Sequence, residues 1–220
     1  MIDIDFWRQL DIVSPEDLAS LRVTVIGVGG IGSPTTLALA KMGIRNIIVY
    51  DDDKVEPHNL PNQFYKKTDL GVLKVCALAN LVDEFANATI EARAERFDGS
   101  QELSGVVVSG VDTMEARKLI WTAVKFNPAV QLYVEARMGA EIARIHTVQP
   151  SDIFGVKWYE STLYTDEEAV QAPCTARAII YCSLMIGALV ANQVKKFANA
   201  EAWAREVIFD MMTLSLIVNY

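Results

Sequence analysis

Apolar runs and amphipathic stretches alternate along the first half of this chain. Arg22–Val28 is a continuous apolar run, the pattern of a strand covered on both faces of a parallel sheet. A glycine-rich stretch follows. Ser33 or Gly32 then caps a predicted helix, with Pro34 at its first position and Gly43 at its end. Asn46–Tyr50 predicts a second strand. Residues 54–70 read as a polar connection. Gly71–Ala86 is amphipathic, with Val75, Leu78, Ala79, Val82 and Phe85 on one stripe. Thr89–Glu95 alternates as a strand does, and Val106–Ser109 is a short buried strand. A helix over 113–126, a strand over Gln131–Ala136 and an alternating strand over Glu141–Val148 follow, the last predicted antiparallel to its neighbour.

The ends of the chain are less regular. Residues 1–20 have helical spacing, with Ser14 as cap, Pro15 at the first position and acids in the first turn. Residues 150–173 read as a long loop, a length that is often functional in a compact domain. Ala178–Val194 is apolar but only 17 residues long, and Tyr181, Cys182, Ser183, Gly187 and Asn192 interrupt it. It predicts a buried helix to about Phe197, not a membrane span. A helical patch at Ala200–Arg205 and strand-like runs at Glu206–Phe209 and Thr213–Val218 close the chain. The pattern predicts an α/β fold: a Rossmann-like mixed sheet, parallel in the N-terminal half, antiparallel in the C-terminal half, with helices on both faces. No repeat or linker divides it, so residues 1–220 are expected to form a single domain.

Composition narrows this picture. With 220 residues and a hydrophobic share of 51%, the chain can bury a sizeable core. A net charge of −8 argues against broad nucleic-acid binding, so any phosphate site must be a local arrangement. Cys76, Cys174 and Cys182 make no disulfide framework and no C-x-x-C pair. They fit a reducing cytoplasm and exclude an all-cysteine zinc tetrad. The N-terminus lacks the basic start and apolar core of a signal peptide.

The candidate chemistry gathers after the strands. Gly27, Gly29, Gly30 and Gly32 permit a tight turn and let backbone approach a phosphate, while the next helix turns its positive end toward the same place. Asp51 ends the second strand, 19 residues after Gly32, where a carboxylate can accept ribose hydroxyls. Asp112 lies just beyond the Val106–Ser109 strand. It suits a ligand site and a helix cap equally well. Lys74 starts a helix next to the phosphate turn. Arg8 by itself reads as a solvated arginine on a peripheral helix.

Together these pieces resemble the ThiF/MoeB family of adenylating enzymes, which shares its fold with the ubiquitin-activating enzymes, and the resemblance covers nearly the whole chain. Arg8 and Gln9 match the family's N-terminal R-Q. Gly27, Gly29, Gly30, Gly32 and Ser33 match its G-x-G-G-x-G-S turn. Asp51, Asp53, Val55, Asn59, Leu60 and Gln63 match D-x-D-x-V-x-x-x-N-L-x-R-Q. Gly71 and Lys74 match its glycine–lysine pair, and Asp112 and Arg117 its D-N-x-x-x-R. Arg137 and Met138 lie where the family often has R-M. Cys174 and Ala176 fall in its cysteine-bearing segment, and Asp210 matches its late Y-D.

The resemblance implies ATP-dependent adenylation of a C-terminal carboxylate on a ubiquitin-like or sulfur-carrier protein ending in glycine. It implies Asp112 as a Mg²⁺ ligand, Lys74 and Arg8 on the phosphates, and Asp51 on the ribose, with Asp53 beside it. Asn59 and Gln63 would organise the phosphate side. Arg8 would act across a homodimer, and Cys174 would take part in transfer. There are departures. Asn62 stands where the family has an arginine, and Lys66, Lys67 and Arg137 are candidates to replace it. The family's zinc-binding C-x-x-C pairs are absent, so no structural zinc is expected. A non-catalytic nucleotide-binding subunit and, more remotely, an NAD-dependent oxidoreductase are the competing readings. Neither a membrane nor a nucleic acid is an expected partner.

Overall fold

The computed structural model describes residues 5–165 and 179–220. Strands β1 (Arg22–Ile26), β2 (Asn46–Tyr50), β3 (Glu91–Arg93), β4 (Gly105–Ser109) and β5 (Val130–Gly139) run parallel. Strands β6 (Ile142–Val148), β7 (Glu206–Asp210) and β8 (Ser215–Asn219) continue the sheet antiparallel. The order is β3-β2-β1-β4-β5-β6-β7-β8. From β1 the chain winds outward to β3, then crosses back to β4 on the other side of β1. That reversal opens a crevice beyond the carboxyl ends of β1 and β4, where open α/β sheets place ligands.

The strand period of two divides the core between the two faces. Val23, Val25, Val106, Val108, Leu132 and Val134 pack beneath α2 (Gly32–Met42), α3 (Lys74–Ala86) and the helix Ile180–Ala198. Ile26, Val107 and Tyr133 pack on the opposite face with α4 (Met114–Val124) and α5 (Ile153–Glu160). The mixed sheet with helices on both faces is therefore as the pattern predicts. The helix α1 (Pro15–Ser20) starts at Ser14, whose Oγ accepts from the Asp17 amide. In chain order Ile180–Ala198 is α6. No helix among the described residues is long and apolar enough to cross a membrane.

Several local expectations change. The segment 150–173 is not loop throughout, because α5 forms where the Asp152 carboxylate accepts from the Phe154 and Gly155 amides. Residues 201–205 are not helical; the Gln193 side chain of α6 instead accepts from the Ala204 amide and fixes them as an extended return to β7. Phe85 is exposed, so the buried stripe of α3 runs through Val75, Leu78 and Val82 without it. Ser33 does not cap α2. Its hydroxyl donates to the Gly29 carbonyl and accepts from the Phe64 amide, while Ile31 occupies the cap position.

Candidate nucleotide site

A cavity of about 560 Å³ occupies the crevice. Its floor is the turn after β1. The Gly27 amide donates to Tyr50 of β2, and the Gly110 amide donates to Ile26 of β1, so the two strand ends meet there. Gly27 has φ +83, a conformation that side chains disfavour. At Gly29 an added Cβ would come no nearer than 3.6 Å to any protein atom outside its neighbours. The protein does not need that space itself; leaving it bare keeps the floor open to a ligand.

The connection 54–70 is stitched to this turn. Tyr65 donates its hydroxyl to the Val28 carbonyl at 2.6 Å, and Ser33 holds Phe64. Asp51 accepts from the Val28 amide at 2.8 Å and the Asp53 amide at 2.9 Å. Burial raises its pKa, and the two amide bonds and Lys74 oppose that rise. Lys74 is only 6% exposed. Its Nζ pairs with Asp53 Oδ2 at 2.7 Å, and its amide donates to the Asp53 carbonyl. The pair holds a cation at the N-terminus of α3, where the helix dipole alone would disfavour it.

Gly27, Gly29, Gly30, Asp51, Asp53, Gln63, Lys74, and Asp112 opposite them, all line the cavity. Gly32 lies behind the turn and shapes it. Asp112 is not the cap of α4: Thr113 Oγ1 accepts from the Ala116 amide instead. The Asp112 carboxylate is exposed and has no hydrogen-bond partner among the described residues. An unpartnered hard carboxylate beside the glycine turn fits Mg²⁺, which is usually held by one or two carboxylates together with substrate phosphates. Asn62 Oδ1 and Gln63 Oε1, at the cavity wall, are buried without partners among the described residues, which leaves them available to a ligand.

Other expected residues lie elsewhere. Asn59 is buried and takes its partner locally: its Oδ1 accepts from the Glu56 amide, which closes the 3₁₀ turn Pro57–Asn59. It does not line the cavity. Arg8 is exposed in the turn Trp7–Gln9, with its guanidinium over the Trp7 ring, also outside its own chain's cavity. Cys174 lies outside the described residues. Cys182 is buried in α6, and burial pushes its thiol up to about 11, which disfavours the thiolate. Of the replacements considered for Asn62, Lys66 is paired with Glu84 at 2.8 Å, and Arg137 is bound to Glu135 and Thr162. None of Lys66, Lys67 and Arg137 lines the cavity.

Sequence reasoning missed Arg96. It lines the cavity near Tyr50, Asp51 and Phe97 and has no ion-pair partner among the described residues. Its signal was available: it follows β3, and ligands gather beyond the carboxyl ends of strands. Arg96→Ala is expected to weaken nucleotide binding about tenfold, a loss of about 1.4 kcal/mol, without changing the melting temperature. Calorimetric titration of both proteins measures this, and equal affinities would remove Arg96 from the site.

A ThiF family model matches residues 5–214. The SAMP-activating enzyme E1 of Haloferax volcanii is 33% identical over 128 residues, 54% of this chain and 47% of that protein. The ubiquitin-like modifier-activating enzyme 5 of Xenopus laevis is 28% identical over 209 residues, 84% of this chain and 52% of that protein. This chain thus spans about half the length of these relatives. The crystal structure of E. coli MccB with ATP superposes with a TM-score of 0.73 at 18% identity, covering 93% of this chain and 65% of MccB. PaaA superposes equally well, with a TM-score of 0.73 at 17% identity. At these identities the structural likeness carries the fold.

Proposed function

The chain belongs to the ThiF family, and from that premise we propose that it adenylates the C-terminal carboxylate of a ubiquitin-like or sulfur-carrier protein with ATP. The observation that carries the reading is the meeting of the glycine turn, buried Lys74 and unpartnered Asp112 around one cavity. A dehydrogenase needs the first and has no evident use for the other two.

The carrier's carboxylate oxygen forms a bond to the α-phosphorus of ATP, and pyrophosphate leaves with the bridging electron pair, giving an acyl-AMP. The bare turn takes the phosphate backbone, Asp51 takes the ribose, and Lys74 offsets phosphate charge. Gln63 offers a polar contact on the phosphate side. Asp112 would hold Mg²⁺, which supplies charge neutralisation when bound. Arg8, exposed and away from its own cavity, serves the second site of a homodimer; a monomeric mass in sedimentation would remove that part of the reading. Cys174 is the acceptor for onward transfer: its Sγ takes the acyl group as a thioester and AMP leaves.

Exchange of labelled pyrophosphate into ATP tests the proposal. Exchange is expected only with a carrier peptide ending in Gly-Gly. Cys174→Ala should retain exchange and lose any thiol-linked product. ATP binding without exchange across carriers of both classes favours the second reading, a nucleotide-binding partner of an active homologue. Asn62 at the family's arginine position speaks for that alternative.

A further inference from the structure

Strand β5 buries a charge near its carboxyl end. Tyr133 and Val107 lie on one face of the sheet, yet Glu135 between them and the site is fully buried, with 0% exposure. Burial opposes ionisation, but a hydrogen bond from His146 and the guanidiniums of Arg137 and Arg117 more than offset it and hold its pKa at about 2. The surrounding cations thus favour the ionised carboxylate.

Its partners come from three elements. His146 is its cross-strand neighbour on β6, with Nδ1 at 2.9 Å. Arg137 of β5 donates through Nε at 2.8 Å, and Arg117 of α4 through Nε at 2.8 Å. Each arginine spends its other nitrogens elsewhere, and the two diverge. Arg137 donates to the carbonyl and the hydroxyl of Thr162, just after α5. Arg117 donates to the Val111 carbonyl at 2.6 Å and the Asp112 carbonyl at 3.2 Å.

The second of these matters for chemistry. Asp112 has an exposed, unpartnered side chain, so its direction depends on its backbone. That backbone lies between Gly110, whose amide is bonded to the end of β1, and the cap of α4. The Arg117 fork bonds both carbonyls of this segment, and Glu135 bonds the fork. A planar guanidinium bound on one side by a carboxylate can present its remaining donors in one direction only. A buried ion cluster is a poor route to stability compared with apolar packing, so its retention here calls for another role.

We infer that Glu135 is a positioning residue for the adenylation step: through the Arg117 fork it fixes the Val111–Asp112 backbone and so aims the Asp112 carboxylate into the cavity. The inference rests on the function proposed above.

Glu135→Gln and Arg117→Lys test it together. The first removes the anion but keeps the shape. The second keeps a charge facing Glu135 but cannot reach both carbonyls, which guards against a Glu135 variant that does not fold. Both are expected to lower kcat for pyrophosphate exchange about 10- to 100-fold. KM for ATP, and Kd for ATP in EDTA, should stay within about threefold. Hydrogen exchange at the Val111–Thr113 amides should quicken. Val130→Ala, a cavity at the far end of β5, is the comparison: it lowers the melting temperature and leaves kcat at the wild-type value. If kcat in the two test variants merely follows lost melting temperature, or holds while KM rises, the inference is wrong. Exchange by the wild type that Glu135→Gln leaves unchanged removes the inference alone. No exchange by the wild type removes the proposed function and the inference with it.

Discussion

Gly32→Ala is expected to lower the melting temperature by about 6–12 °C, corresponding to roughly 3 kcal/mol in a domain of this size, and to abolish detectable ATP binding. The turn folds back on itself so closely that a Cβ at Gly32 would overlap the Gly27 carbonyl oxygen and stand 2.9 Å from its carbon and 3.2 Å from a methyl of Val25. The obstacle is backbone, which cannot swing aside as a side chain can. Gly27 is held as well, by its bond to Tyr50 and by Gly110 and Val111 packed at 3.1 Å from where its own Cβ would be. Accommodation must therefore move the end of β1 or the start of α2, and both shape the cavity floor. Gly29→Ala separates the two effects. Its Cβ meets nothing closer than 3.6 Å, so the fold should keep its melting temperature while the methyl fills the floor and weakens ATP binding. Thermal unfolding with ATP titration on the two variants checks the contrast. A Gly32→Ala protein with wild-type stability and affinity would mean the turn is not built this way.

That turn was also the most legible part of the sequence. β2 falls at the residues the apolar run marks, β1 within two, and Gly43 ends α2 at φ +112 as a helix-closing glycine should. Burial on both faces leaves an apolar run, and a left-handed residue requires glycine; both constraints act locally, so the chain displays them. Asn59 illustrates the opposite case. Its place in the N-L-x-x-Q stretch suggested a ligand contact, but its side chain satisfies an amide three residues away, and position in a motif does not distinguish the two uses. Asp112 and Thr113 are both good caps, and only the structure says which one bends back to Ala116. Glu135 gave no signal at all. Its meaning lies in three side chains from β5, β6 and α4 that converge only when the sheet forms. Lys74 lies between: its position was readable, its burial against Asp53 was not.

The division of labour between Asp112 and Thr113 leads to the second large effect. Asp112→Asn is expected to reduce pyrophosphate exchange by about 100- to 1,000-fold while leaving the fold intact. The change alters one atom of an exposed side chain that bonds no described residue, and the Arg117 fork holds the backbone of residue 112 whichever side chain it bears. Little stability is therefore at stake. On the function proposed above, what is lost is a carboxylate ligand beside the reacting phosphates, and an amide is a far poorer ligand for a hard cation. ATP affinity measured in EDTA should stay within about threefold, because without a cation the carboxylate does nothing to attract a phosphate. Thr113→Ala should behave in the opposite way. It removes the capping bond to Ala116, costs about 1 kcal/mol, and leaves the exchange rate per folded molecule near the wild-type value. Exchange rates and melting temperatures of the two neighbouring variants, measured side by side, decide the assignment. If Asp112→Asn unfolds the protein and Thr113→Ala does not, residue 112 is the cap of α4 and the charge at the crevice is incidental. If stability falls only with Thr113 and exchange only with Asp112, the carboxylate beyond β4 is the acid on which the adenylation site depends.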